Sequence, residues 1–585
     1  MKEKYYSSER SVQILISLLK QYGIKKVIAS PGTTNLTFVG SLMCDPWFEL
    51  YSSVDERSAA YIACGMSATS GEPVVLTSTG ATASRNYLSG LTEAYYRKLP
   101  IVAVTSCQDK NKIGHLGAQV IDRSSQPADT VICSEHIEPA ITKNAEWDAT
   151  IRINRALQAL TRHGGGPVHI NLTSTYSNDY SVKELPAAKK IHRIDINSDM
   201  PELPKSKIAI WIGNHRPFND RETAAIEHFC TKYDAIVICD HTSNYHGEHR
   251  AFIGLTATQK QYNSDIFDID LLIHLGEVSA DYASMSKLYQ AKEVWRVSED
   301  GEIRDLFGQL THIFEMKEED FFSSFTTRNS ESSDDGFTYL KKCLSEEGHL
   351  MSIVPELPFS NIWIAKTLSS KLPKHSIAHF AILNSMRSWN FWDIDKTIDC
   401  YCNSGGFGID GCMSSCIGSA LANKDRIHFL FIGDLAFFYD MNSLGNRYLP
   451  SNIRILLVNN GKGTEFRNYC HPAYAFGEEA DAYIAAAGHF GNKSSQLVKH
   501  YAEDLGCKYL FAHSKEEFLA QINEFTSDVT SGQPIVFEAF TNSENESAAL
   551  NALDLLSDST SSKLKKIARM VLPDPIVDQL RKLIP

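Results

Sequence analysis

Two largely apolar runs, IHFLFIG at 427–433 and IRILLVN at 453–459, are separated by about one helix of chain. Runs this short and this uniformly apolar read as strands buried on both faces. The intervening stretch is helix-like and closes on Leu449-Pro450-Ser451-Asn452, so the two strands form one βαβ unit with parallel neighbours. The same rhythm covers most of the chain. KKVIAS, FELYSSVD, PVVLTS and IVAVTS mark strands in the first third. KIAIWIG, AIVICD, LLIHLG and EVWRV mark the middle, and HSIAHF, KYLFAH and PIVFEAF mark the last. The expected fold class is therefore α/β, built from doubly wound parallel sheets.

At 585 residues the chain is too long for one core. Three such domains are expected, at 1–185, 186–345 and 346–545, followed by a helical tail at 546–585. The Ser-rich TTRNSESSDDG reads as the linker that ends the middle domain. In the tail, KLKKIARMV either packs on the body or forms a basic amphipathic helix for a partner or membrane surface. The first and last thirds share one layout.

The net charge of −13 argues against a nucleic-acid surface. No apolar run approaches the roughly 20 residues of a membrane helix, and the charged, amphipathic MKEKYYSSERSVQILISLLKQYG lacks a cleavable apolar core. These features, with 13 scattered Cys, predict a cytoplasmic protein with reduced thiols. Cys400, Cys402, Cys412 and Cys416 form C-x-C and C-x₃-C pairs, which are not zinc-knuckle spacings; small buried residues beside a glycine loop are the favoured reading over zinc. No G-x-G-x-x-G opens a helix after a strand, so a nicotinamide or flavin site is unsupported.

Asp434 and Asn459-Asn460 end the two opening strands, at the sheet edge where open α/β folds bind ligands. A carboxylate and an amide oxygen there suit Mg²⁺, which keeps few protein ligands and shares phosphate oxygens. Alone, Asp434 could equally be a helix N-cap and Asn460 a turn residue. Gly433, Leu435 and Ala436 could bring backbone N–H groups to a phosphate. Glu56 follows Val54-Asp55 at a strand-to-helix junction, where a first-turn Glu also answers the helix dipole.

With VDERSAA, TSTGATASRNY, GGFGIDG and GDLAFFYDMN…VNNGKG in place, the sequence resembles the thiamine-diphosphate-dependent enzymes built like acetolactate synthase and pyruvate decarboxylase, over about residues 8–545. Within them it is most similar in motif to the menaquinone-pathway synthases, which add a succinyl semialdehyde unit to isochorismate. The resemblance implies a pyrimidine-binding first domain, a structural middle domain and a diphosphate-binding third domain. It implies a homodimer or homotetramer with the active site at the subunit interface, and thiamine diphosphate with Mg²⁺ as cofactors. Asp434 and Asn460 would hold Mg²⁺, with a backbone carbonyl near Lys462. Glu56 would bond the pyrimidine and start proton removal, helped by partial desolvation. Ile409, after Gly408, would prop the cofactor in its bent shape, unless it is plain core. Ser385 would contact the diphosphate, and Asn86 and Gln119 would face the cofactor and intermediate. His115 is either an acid/base or a satisfied loop histidine.

Where those synthases carry arginines and a lysine for substrate carboxylates, this chain reads Thr34, Gln108, Tyr282-Ala283, Trp389 and Ser404. Arg85 and Arg387 are new and could partly compensate. The expectation is a cofactor half that is kept and a substrate half that is rebuilt: decarboxylation of a 2-oxo acid and transfer of the acyl unit to a less anionic acceptor, with a carbohydrate as the speculative case. The alternatives are a plain 2-oxo acid decarboxylase and a non-catalytic scaffold on this fold.

Overall fold

The computed structural model describes residues 4–557 apart from 205–206, 261, 263, 327–336 and 531. The linker TTRNSESSDDG, apart from its first residue, and the KLKKIARMV segment lie outside the described residues. Two compact units result, one of Met1–Asp195 with Gly301–Glu315 and one of Ile196–Asp300 with Met316–Pro585.

In the first unit, strands β1 (Lys26–Ala29), β2 (Glu49–Ser52), β3 (Val74–Thr79), β4 (Ile101–Cys107), β5 (Cys133–Ile137) and β6 (Val168–Thr173) form a sheet in the order β2-β1-β3-β4-β6-β5. Every pairing is parallel. This unit also holds β7 (His192–Asp195). In the second unit, β8 (Ile208–Ile212), β9 (Ile236–Cys239), β10 (Arg250–Ala251), β11 (Leu271–Leu275) and β12 (Glu293–Val297) run in the order β10-β9-β8-β11-β12. Strand β13 (Leu310–Glu315) returns to the first unit and pairs with β7.

The remaining sheet of the second unit contains β14 (Ile377–Phe380), β15 (Asp399–Cys402), β16 (His428–Gly433), β17 (Ile453–Asn459), β18 (Lys508–Ala512) and β19 (Ile535–Phe540), in the order β15-β14-β16-β17-β19-β18. Its winding repeats that of the first sheet step for step, as the shared layout predicts. The apolar runs are uniform because both faces are covered. Phe429 and Phe431 of β16 enter one core cluster, while Leu430 and Ile432 enter the cluster on the other face. Cys400 and Cys402 belong to the first of these clusters and Cys412 and Cys416 to the second, packed as small apolar side chains.

In each six-stranded sheet the strand order reverses between the first and third strands, β1 and β3 or β14 and β16, and again where the last two strands exchange places. A reversal leaves a crevice at the carboxyl ends of the strands. The residues singled out by sequence gather at these two edges. No helix among the described residues is long and apolar enough to cross a membrane.

Candidate functional site

At the edge of the third sheet, Asp434 starts the helix Asp434–Asp440 directly after β16 and is 5% exposed. Its carboxylate accepts hydrogen bonds from the Leu435 N–H (2.9 Å) and, across the crevice, from the Gly461 N–H (2.7 Å). Burial pushes its pKa up to about 7 despite these donors. The groups that stabilise its charged form are neutral backbone N–H donors, and a cation would favour that form further.

The two asparagines at the end of β17 divide the work. Asn459 turns inward and donates to Glu538 (2.6 Å). Asn460 sends its amide N–H toward Thr464 (3.4 Å), and its Oδ1 is buried with no hydrogen-bond partner. That orphaned oxygen beside Asp434 matches the donor set expected for a hard divalent ion. Glu546, at the start of the helix Ser543–Asp554, is a neighbour that sequence reading missed. It accepts from the Asn361 N–H (3.0 Å) and the Thr541 hydroxyl (2.7 Å). Burial and the Asp434 charge push its pKa up to about 7, while Asn460 bonds to it and lowers it. No local pattern marks Glu546; only the tertiary fold brings it to Asn460.

A Cβ added at Gly433 would meet nothing within 4 Å, so the main chain beside Asp434 is open, as a phosphate would need. The expected backbone cradle is smaller than the sequence suggested, because the Leu435 N–H is already taken by the Asp434 carboxylate. Ala436 is buried. The Lys462 ammonium pairs with Asp481 (2.7 Å), which anchors the loop after β17. Ser385 is buried in the short helix Asn384–Trp389. Its neighbour Asn384 donates to Thr464 (2.8 Å), the residue that also receives Asn460, so the ends of β14 and β17 are tied together. Ile409, after Gly408, is partly buried against both core clusters of this sheet. The helix that follows this loop is fixed by Ser414, whose N–H and hydroxyl both reach Asp440 at 2.6 Å.

Arg387 does not supply the spare guanidinium suggested by sequence. It forms a two-pronged pair with Glu465, both contacts at 2.8 Å, and also donates to Asn384 (3.1 Å).

In the first unit, Asp55 caps the helix Glu56–Ser70 by accepting from the Ser58 N–H (2.8 Å), and Glu56 stands half-buried in its first turn. Asn86 donates to the Glu56 carboxylate at 3.0 Å. The helix Leu88–Arg97, which begins two residues after Asn86, packs closely on the Glu56 helix and holds the two residues together: a Cβ at Gly90 would come within 2.4 Å of the Ala60 Cβ. Arg85 precedes Asn86. Arg123 reaches the same turn by donating from Nε to the Gly80 carbonyl (3.2 Å), and its Nη2 is buried with no partner. Burial and the Arg85 charge lower the Arg123 pKa, outweighing the opposite pull of Asp122. His115 and Gln119 stand exposed in the segment after β4, Gln119 with φ of 63°, and no hydrogen bond among the described residues joins either to Glu56 or Asn86.

Residues 10–126 match the thiamine pyrophosphate enzyme N-terminal TPP binding domain. The chain is 29% identical to a 2-succinyl-5-enolpyruvyl-6-hydroxy-3-cyclohexene-1-carboxylate synthase of Bacteroides thetaiotaomicron, over 93% of this chain and 98% of the relative. The synthase of the same name from Flavobacterium johnsoniae is 26% identical over 88% of this chain and 92% of its own length. That of Porphyromonas gingivalis is 26% identical over 89% and 92%.

Proposed function

As a relative of the thiamine-pyrophosphate-dependent synthases along nearly its whole length, this chain is, we propose, an enzyme that uses thiamine diphosphate and Mg²⁺ to decarboxylate a 2-oxo acid and join the remaining acyl unit to an acceptor. The observation that carries this reading is the pairing of the buried Asp434 carboxylate with the orphaned Asn460 oxygen beside the open main chain at Gly433. Bound thiamine diphosphate supplies the carbon nucleophile and the electron sink for such a reaction.

The chain's own residues then have separable tasks. Asp434 and Asn460 Oδ1 hold the ion, and Glu546 keeps the Asn460 amide turned so that Oδ1 faces it. Ser385 and the main chain at Gly433 approach the diphosphate. Ile409 props the cofactor body, a positioning role. Glu56, oriented by Asn86 at 3.0 Å, holds a proton at the pyrimidine N1′ and sets its tautomer. Arg85 and Arg123 lie one residue and one loop away from that pair, and the unbonded Nη2 of Arg123 suits the carboxylate of a 2-oxo acid. Gln119 and His115 complete the site on this reading, as polar groups facing the reacting carbonyl. At least two copies are required, with Glu56 of one and Asp434 of the other serving one site, as in the enzymes it resembles.

Calorimetric titration with thiamine diphosphate and Mg²⁺ tests the reading. Wild type binds only with Mg²⁺ present, Asp434→Ala loses binding, and Glu56→Gln binds but turns over poorly. No heat at any Mg²⁺ concentration rejects catalysis and leaves the scaffold reading.

A further inference from the structure

The second unit contains a cavity of about 380 Å³ lined by segments of the second and third sheets' connections, among them Tyr282, Leu383, Arg387 and Phe407. Its position links it to the proposed site. Leu383 directly precedes Asn384-Ser385, and Phe407 directly precedes Gly408-Ile409, the two segments assigned to the diphosphate and the cofactor body.

The wall is aromatic on one side and mixes committed cations with the carboxylates of Asp281 and Asp554 elsewhere. Tyr282 and Phe407 are 54% and 40% exposed, and their rings meet edge-on at 5.9 Å. The Arg387 guanidinium is already neutralised by Glu465. The Lys287 ammonium donates to the Gln259 carbonyl (2.9 Å). Asp281 caps the helix Tyr282–Leu288 through the Ser284 N–H (3.1 Å), and Asp554 receives the hydroxyls of Thr258 and Tyr469. Lys260 at the rim lies 5.6 Å from the centre of the Tyr469 ring. A dianionic ligand placed here would lose its hydration without gaining an uncommitted guanidinium. An uncharged ligand with many hydroxyls would lose little: it can lie on the aromatic faces and bond the polar rim.

We propose that this cavity is the acceptor site and takes an uncharged, hydroxyl-rich carbonyl compound of about monosaccharide size. The inference rests on the carboligase reading above and adds the acceptor class to it. In the net step the bond between the donor's carboxyl and 2-oxo carbons breaks and CO₂ leaves. The released electron pair forms a bond from the former 2-oxo carbon to the acceptor's carbonyl carbon. The acceptor's carbonyl oxygen takes the π pair and one proton, giving a 2-hydroxy ketone.

The test compares two probes that differ by one phosphoryl group, D-erythrose and D-erythrose 4-phosphate, by saturation-transfer NMR on the enzyme loaded with thiamine diphosphate and Mg²⁺. Wild type binds erythrose at least tenfold more tightly than its phosphate. Tyr282→Ala, a change at an exposed ring, weakens erythrose fivefold or more with cofactor affinity unchanged. Ala283→Arg, which adds a guanidinium to the wall, reverses the preference. Equal or tighter binding of the phosphate by wild type, no transfer to erythrose, or indifference to Tyr282→Ala overturns the proposal while leaving the cofactor reading intact. Failure of the wild type to bind cofactor in the same samples sinks the parent reading and this one with it.

Discussion

Asp434→Asn should make the cofactor-free protein more stable while abolishing its Mg²⁺ response. The carboxyl pKa rises from 3.8 in the unfolded chain to about 7 in the fold. With the pKa raised, the protonated form is favoured by folding. Its contribution is fully present below the unfolded value and is lost as pH rises through the folded one. Each tenfold change in proton affinity is worth about 1.4 kcal/mol, so the ionised carboxylate costs the apo fold about 4 kcal/mol at pH 8 and about 2 kcal/mol at pH 5. An amide carries no charge and keeps one oxygen, which can accept from the Leu435 or the Gly461 N–H but not from both, since these meet different oxygens of the carboxylate. The variant should therefore unfold at a higher urea concentration than wild type, with a gap that widens from pH 5 to pH 8. Added thiamine diphosphate and Mg²⁺ should raise the wild-type midpoint and leave the variant's unmoved. A variant no more stable than wild type at pH 8, or a gap that does not change with pH, would refute the reasoning that burial is what raises this pKa.

Gly433→Ala should fold with wild-type stability, since φ there is an ordinary −82° and the added Cβ meets nothing, yet lose tenfold or more in thiamine diphosphate affinity by calorimetry. Gly90→Val should cost about 1–3 kcal/mol in denaturant unfolding through overpacking against Ala60. It should also lower kcat by displacing Glu56 from Asn86, so a stable variant of unchanged kcat would count against that pairing. Glu465→Gln should destabilise the protein by about 3 kcal/mol by leaving the Arg387 guanidinium without its counter-charge. The double change with Arg387→Met should recover most of the loss, and a purely additive result would show the pair to be uncoupled. Arg123→Gln should raise KM for a 2-oxo acid while leaving the cofactor Kd within about twofold, as expected for uniform loss of substrate binding.

The sequence by itself determined whatever depends on neighbours along the chain. Uniform apolar runs separated by single helices demand parallel strands covered on both faces, so three α/β sheets and the shared winding of the first and third were legible from IHFLFIG, IRILLVN and their counterparts. Strand ends fall at one edge of such a sheet, so strand placement alone put Asp434 and Asn460 at a ligand edge. The tertiary structure decided what those side chains touch. Arg387 looked available as a substrate clamp, but Glu465 lies 78 residues away and neutralises it. Arg123 reaches Gly80 across 43 residues to crowd Arg85, and Glu546 comes back to Asn460 from the start of the last described helix. Hydrophobic period is written locally because each strand must bury its own residues. Charge pairing and the orphaning of a polar atom are settled only when distant segments close on one another and exclude water, which no single stretch of sequence records.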